Sequence, residues 1–429
     1  MFQSLIPTTS LLKLLGPGIL YAAAAVGISH LVQATRAGAE YALGLTVIVV
    51  LACIIKYPSL RFGGDYAAVT GKNLISNYRQ QGPWAFYIYA IAQLFSMVFI
   101  IAAISLFTLG LLKASIGLAI NNLLGVALLL GFVAFLLIGG HYQLLEKVTK
   151  VIVAAFTALI VVAVALVAFR MEWSLGAFAV PDISGATLMF IIALIGFMPS
   201  PADGSVLQSL WVCARAEQDG QKPTLSDARL DFNIGYLTSV ILAVGFLILG
   251  AGVMHSAGVE VAKSNGGFAE QLLQLFTVAI GEWSFPFIAV AAFFVMFSTL
   301  YTVVDGMTRI VIAIGQESFE GWKENTGKNP NNRPDTSRLY NTVLLGLCLA
   351  ALLILATLLR SFSTFMDMTS ILVFVVSPLI AWLNHRAIWG AQIPIEKQPG
   401  TGMRIWSMLG IAVLSLLTIT YFYVRFLAQ

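Results

Sequence analysis

Long, almost unbroken apolar runs, each bounded by a few polar residues, follow one another along the chain, Val151 to Phe169 and Val343 to Leu359 being representative. They lack the strict apolar/polar alternation of membrane-spanning strands, which removes a transmembrane barrel. A helix crosses a hydrocarbon core of about 30 Å in about 20 residues. Cutting the chain at its polar interruptions predicts eleven such helices, near residues 12–35, 42–62, 84–112, 118–138, 148–169, 185–213, 231–254, 284–308, 341–360, 364–383 and 404–426. The longest polar connection, about Gln316 to Tyr340, is rich in Asn, Pro and Lys without apolar periodicity and reads as a loop, not a domain. The expected fold class is an all-α polytopic membrane protein, one transmembrane domain over residues 1–429.

Two of these helices are interrupted. The first contains Gly27-Ile28-Ser29-His30, and the sixth Gly196-Phe197-Met198-Pro199-Ser200-Pro201-Ala202-Asp203-Gly204. Each proline removes a backbone donor and clashes with the preceding turn, so the sixth helix cannot run through. Backbone freed in this way survives at membrane depth only where it is buried in protein or lines a cavity. The interruptions are five helices apart, and five is odd, so a repeat of spans 1–5 (12–169) in spans 6–10 (185–383) is inverted in the membrane. Span 11 (404–426) stands outside the repeat. This pattern points to an inverted-repeat transporter with its substrate at the midplane.

Composition agrees, with 59% hydrophobic and 10% charged residues and a mean hydropathy of +0.89; soluble domains carry about 25% charge. The net charge of +4 does not signal nucleic acid, because the basic residues are scattered through short loops. Their distribution sets direction instead. Of 24 Lys and Arg, 18 fall on the side of the N-terminus, Lys56 and Lys323 among them, and six on the other. The positive-inside rule then puts the N-terminus in the cytoplasm of a cell (inner) membrane protein and the C-terminus outside. Cys53, Cys213 and Cys348 form neither a disulfide framework nor a thiolate metal site. Residues 1–26 read as a retained first span and not as a cleaved signal, because the apolar stretch continues past Ala25.

The sequence resembles the Nramp (natural resistance-associated macrophage protein) family of proton-coupled divalent metal transporters. Gly16-Pro17-Gly18, Ala37-Gly38-Ala39, Met198-Pro199 and Ser298-Thr299-Leu300 with Gly306 carry the resemblance. It implies a LeuT-type fold of five plus five spans with an eleventh helix. The family's usual metal chemistry is largely replaced. Its Asp-Pro-Gly-Asn in span 1 stands here as Gly27, Ile28, Ser29 and His30; its Met-Pro-His in span 6 as Met198, Pro199, Ser200, with Ser205 at the later His position; and apolar residues near Leu94 and Met97 replace an acidic pair in span 3, with Gln93 beside them. Only the Met ligand carries over, at Met198. A site without carboxylates strips water from Mg²⁺ or Mn²⁺ poorly, whereas an imidazole and a thioether suit softer ions.

Gly27, Ser29, His30, Ile195, Met198, Ser200 and Asp203 are therefore the candidate substrate-binding residues, with Met198 and His30 as candidate metal ligands. Asp203 is the one acid near a span centre, a functional candidate by default. Ser200-Pro201-Ala202-Asp203 also matches a helix start, with Ser200 as N-cap and Asp203 reaching back to it. His30 reads as a ligand, a proton carrier or a hydrogen-bonded polar residue in the helix gap. Arg36–Glu40 and Asp305–Arg309 read as ion pairs snorkelling at helix ends, Asp367 as solvated, and Gln93 and Gln208 as interhelical or pathway-facing. The expectation is a secondary transporter of a divalent metal cation with weakened or altered selectivity, possible proton coupling, the lipid bilayer as its surroundings and no cofactor. The alternatives are a small carboxylate-bearing solute as substrate, or a non-transporting sensor. No enzyme is expected, since HExxH, GxSxG and paired carboxylates do not occur in the spans.

Overall fold

In the computed structural model, residues 16–139, 142–171, 173–318, 336–359 and 361–427 are described. Residues 12–15 of the first span, the loop around Lys323 and the C-terminal Gln429 lie outside them. The described residues are helical with no strand. Span 1 is a half-helix, Pro17–Ala25, followed after a short gap by a π-helical turn, Ser29–Ala34, and an α-helix, Thr35–Tyr41. Spans 2 to 5 are Thr46–Thr70, Pro83–Ile116, Asn122–Ile138 and Tyr142–Ala168. Span 6 is split into half-helix 6a, Gly185–Phe197, and half-helix 6b, Gly204–Asp219. Spans 7 to 11 are Leu225–Leu249 with a π-helical end Gly250–His255, Phe285–Ser318, Thr336–Leu358, Phe362–Ile388 and Thr401–Phe426.

All eleven predicted spans are present, and two short helices, Leu74–Gln81 after span 2 and Asn265–Ile280 after span 7, were not foreseen. Among the described residues, seven helices are individually long and apolar enough to cross a bilayer. Large apolar side chains such as Ile91, Phe132, Phe287 and Leu409 stand exposed on their flanks. In water such surface favours aggregation, but facing lipid tails it costs nothing. Span 11 is the most peripheral, packing on spans 10 and 2 with 17% of its apolar stretch buried.

The two broken helices are gripped by close backbone contact with spans 7 and 2. A Cβ on Gly18 would come within 2.1 Å of the Asp231 carbonyl oxygen, and one on Gly235 within 2.1 Å of that of Gly18, so spans 1 and 7 meet backbone to backbone. Gly63 of span 2 faces the Ser205 carbonyl of half-helix 6b at 1.8 Å by the same measure. Small residues are what allow such approach in membranes, where packing and hydrogen bonds drive association. Asp231 also accepts from the Gly16 and Gly18 amides, at 3.1 and 2.6 Å, and so caps the otherwise unpaired donors at the start of span 1. The Gly16-Pro17-Gly18 motif is thereby explained as a helix start docked on span 7.

Candidate functional site

The first interruption is shorter than the sequence suggests. Only Val26 and Gly27 leave the helix, and His30 lies in the π-helical turn, not in the gap. The carbonyls freed by the gap are taken up locally: Thr299 Oγ1 of span 8 donates to Ala23 O at 2.9 Å, and Ser29 Oγ donates to Ala25 O at 2.5 Å. Gly27 fits because a Cβ there would sit 2.9 Å from the Thr299 methyl. The second interruption runs from Met198 to Asp203 and contains the cis Met198–Pro199 bond.

Half-helix 6a ends without a following turn, so its last carbonyls need donors. They find one in Lys56, from the middle of span 2, which is 2% exposed. Its Nζ donates to the carbonyls of Ile195, Gly196 and Ser200 at 3.1, 3.0 and 2.7 Å. Three N–H groups thus meet three acceptors. Counting Lys56 among the loop cations that orient the chain is corrected by this position; 17 remain on that side, and the bias stands.

Between the breaks lies a cavity of about 40 Å³, walled by Tyr21, Ser29, Ser200, Asp203, Thr299 and Met307 together with apolar side chains such as Ile100 and Ile104. At roughly 10–15 Å³ for each water-sized position, it accommodates about three. Tyr21 Oη and Ser200 Oγ are 2.6 Å apart and join the two breaks across it. Asp203 is buried, and its Oδ2 accepts from Gln93 Nε2 at 3.1 Å, which itself lies 3.5 Å from Met307 Sδ. The proposed capping box is not formed. Half-helix 6b begins at Gly204 with Asp203 as the residue before it, no side chain bonds its first amides, and the Ser200 hydroxyl turns to Tyr21 instead. The Asp203 carboxylate is nonetheless at the positive end of a 16-residue helix, where an anion is stabilised.

Of the residues singled out from sequence, the cavity therefore gathers Ser29, Ser200 and Asp203. Gly27, Ile195 and Met198 do not line it, and the Ile195 carbonyl is committed to Lys56. His30 is fully buried toward span 7, where Nε2 donates to Ser239 O at 2.7 Å and Nδ1 lies 2.7 Å from Ser29 Oγ. Nε2 is spent on span 7, Nδ1 faces the Ser29 hydroxyl, and the imidazole does not line the cavity. Among the described residues no group of three or more His, Cys, Asp and Glu is placed to hold a metal ion.

Tyr21, Lys56, Thr299 and Met307 were missed by the sequence reading. The signal for Lys56 was available: an ionisable residue between Ile54-Ile55 and Tyr57 in an apolar run is a functional candidate by default. Gln93, undecided from sequence, is resolved as the Asp203 partner. Gln208 is buried, and among the described residues neither amide atom has a hydrogen-bond partner.

Toward the other end of span 1, Arg36 is more than a snorkelling partner of Glu40. It is almost buried, and its Nη1 and Nη2 reach the Asp367 carboxylate of span 10 at 2.7 and 3.4 Å, with Glu40 accepting from Nε at 3.3 Å. Asp367 is thus an ion-pair partner and not merely solvated. Asp305 is likewise buried, accepting from Arg309 and from Tyr340 Oη at 2.8 and 2.6 Å.

Comparison with known proteins places this architecture. The chain is 31% identical over 420 residues to an "uncharacterized protein" of Pasteurella multocida (strain Pm70), covering 97% of this chain and 92% of that one. Its fold is similar to that of the Eremococcus coleocola manganese transporter, with a TM-score of 0.68 at 15% identity over 98% of this chain and 88% of that one. It is also similar to that of MhsT in complex with L-phenylalanine, with a TM-score of 0.65 at 12% identity over 95% and 98% of the two chains. The all-α, LeuT-type fold expected from sequence is thereby established. The sequence profile described as natural resistance-associated macrophage protein-like matches residues 18–424, and the protein belongs to that family, as a multi-pass membrane protein of the metal-ion transporters.

Proposed function

We propose that the protein is a secondary transporter that carries a metal cation through the cavity between the two breaks, holding it at the Asp203 carboxylate with help from the Ser29 and Ser200 hydroxyl oxygens. The observation that carries this reading is a buried carboxylate on the wall of a cavity of about 40 Å³. A hard cation seeks oxygen donors and keeps some of its waters, which such a space provides. Solute pockets run to about 300 Å³ and more, which argues against the carboxylate-bearing solute, as does the Asp203 charge occupying the end of half-helix 6b where a carboxylate would bind. Family membership and fold similarity to a manganese transporter support the same substrate class.

Retention of the ion is weak in this reading. Asp203 is the single acid on the cavity wall, and the same break carries the positive Lys56 ammonium on its Ser200 carbonyl. Losing one buried charged partner costs about 3–5 kcal/mol, which is roughly a hundred- to a thousandfold or more in dissociation constant. Titration calorimetry with Mn²⁺ is expected to show binding well weaker than micromolar, with saturable Mn²⁺ uptake into proteoliposomes. Micromolar affinity abolished by substitutions at residues 27–30 would overturn the Asp203 site in favour of one at the first break. Binding without flux would favour the sensor. Protons are the proposed coupling ion, with Asp203, the acid on the cavity wall, as the group that carries them.

The same reading assigns residues 12–169 and 185–383 to the two inverted repeats, 404–426 to the extra span, and the N-terminus to the cytoplasm of the cell membrane. Reporter fusions in the connection at Lys222 and after span 11 are expected on opposite sides of the membrane. Both on one side would refute the eleven-span arrangement.

A further inference from the structure

Lys56 is a buried cation with a full set of acceptors, and the acceptors are unusual. All three are main-chain carbonyls of one helix break, two from the last turn of half-helix 6a and one from the unwound Ser200. No carboxylate lies within ion-pair distance of its Nζ among the described residues. Taking an ammonium out of water costs several kcal/mol, and the compensation here is the partial negative charge of a helix C-terminus concentrated on carbonyls that have no other donor among the described residues. In transporters built on broken helices, unwound carbonyls and half-helix C-terminal ends are where a dissociable cation is coordinated.

We infer that Lys56 is a built-in cation: its ammonium permanently fills a monovalent-cation site made by the carbonyls of Ile195, Gly196 and Ser200. The site is tethered through span 2, so half-helix 6a and span 2 are held together without a dissociable ion. Removing the side chain leaves a carbonyl cage that takes a free ammonium or alkali cation from solution. This goes beyond the metal reading of the Asp203 cavity and stands without it, because the cage faces span 2 and its occupancy is read independently of flux.

The test is thermal unfolding of purified wild type and Lys56→Ala in ammonium, potassium, sodium or choline chloride at equal ionic strength. Wild type is expected to unfold at the same temperature in all four. Lys56→Ala is expected to unfold at a lower temperature in choline and to recover by a few degrees in one of the small cations at about ten times its dissociation constant, as mass action requires. A structural helix cap would show no such selectivity, because salt screening is the same in all four. If Lys56→Ala does not purify from choline, its recovery in ammonium or an alkali salt supports the proposal. Recovery in none of them overturns it when Lys56→Gln, whose amide supplies two donors to the same carbonyls, purifies normally and ignores the cation. A wild type that responds to small cations as strongly as the variant also overturns the proposal, since its cage is then not filled. Failure of Mn²⁺ flux in wild type leaves this outcome unaffected and counts only against the Asp203 reading.

Discussion

Asp203→Asn is expected to lower metal-ion uptake about thirtyfold or more, toward the level of empty liposomes, while leaving a folded protein. The substitution keeps the shape of the side chain, and its amide oxygen can still accept from Gln93 Nε2, now 3.1 Å from Oδ2. What disappears is the formal negative charge on the cavity wall. A cation held there then has only hydroxyl and water oxygens, and truncating one partner of a buried charge pair costs about 2–5 kcal/mol or more, a factor of about thirty to several thousand. The loss is deepened by Lys56, whose positive charge on the Ser200 carbonyl of the same break then has no acid on the cavity wall to offset it. Proteoliposome uptake of Mn²⁺, with the unfolding temperature as a control for integrity, reads the effect. Uptake equal to wild type in a folded Asp203→Asn protein would remove Asp203 from the site and leave the hydroxyls of Tyr21, Ser29, Ser200 and Thr299 to explain any transport.

The architecture was legible in the sequence because lipid imposes a length and a composition on every span, and because Pro199 and Pro201 cannot sit inside a running helix. The first break was overestimated for a physical reason. Gly27-Ile28-Ser29-His30 contains nothing that forbids a helix, and the chain closes the gap after Gly27 by winding into a π-turn. Helices Leu74–Gln81 and Asn265–Ile280 were missed because they are short and lie in connections that the eye for 20-residue runs treats as loops. The site was half legible. Asp203 and the two serines announce themselves as polar residues in a helix break, whereas the partners that define their chemistry are remote in sequence: Gln93 by 110 residues, Lys56 by 144 from Ser200. The acceptors of Lys56 are backbone carbonyls, which no side-chain pattern records. For His30 the packing favours the hydrogen-bonded reading over the ligand, with the ring set between the Ser239 carbonyl and the Ser29 hydroxyl.

The same remoteness hid the joint at the other end of the bundle, and breaking it has the second large effect. Arg36, paired from sequence with Glu40, is 7% exposed and reaches Asp367, 331 residues away. It lies with its guanidinium carbon 5.0 Å from the centre of the Phe190 ring. Gln33 strengthens the junction by donating to Ser370 Oγ at 2.9 Å. Spans 1, 6a and 10 are thus pinned together on the side proposed to face outward, between the surrounding medium and the cavity. Hydrogen bonds to charged groups contribute about 1.5–3 kcal/mol each, so Asp367→Asn, which removes the charge and leaves Arg36 with Glu40 alone, is expected to shift the balance toward an open outer side by about ten- to a hundredfold. A cysteine at Ser370, which is fully buried in wild type, in a background with Cys53, Cys213 and Cys348 replaced, reports this as a faster reaction with a membrane-impermeant thiol reagent. Asp367→Glu, which restores the charge, is expected to react nearly as slowly as the parent. Equal labelling rates for parent and Asp367→Asn would show that the ion pair merely decorates a closure made by the apolar packing of Phe190 and its neighbours.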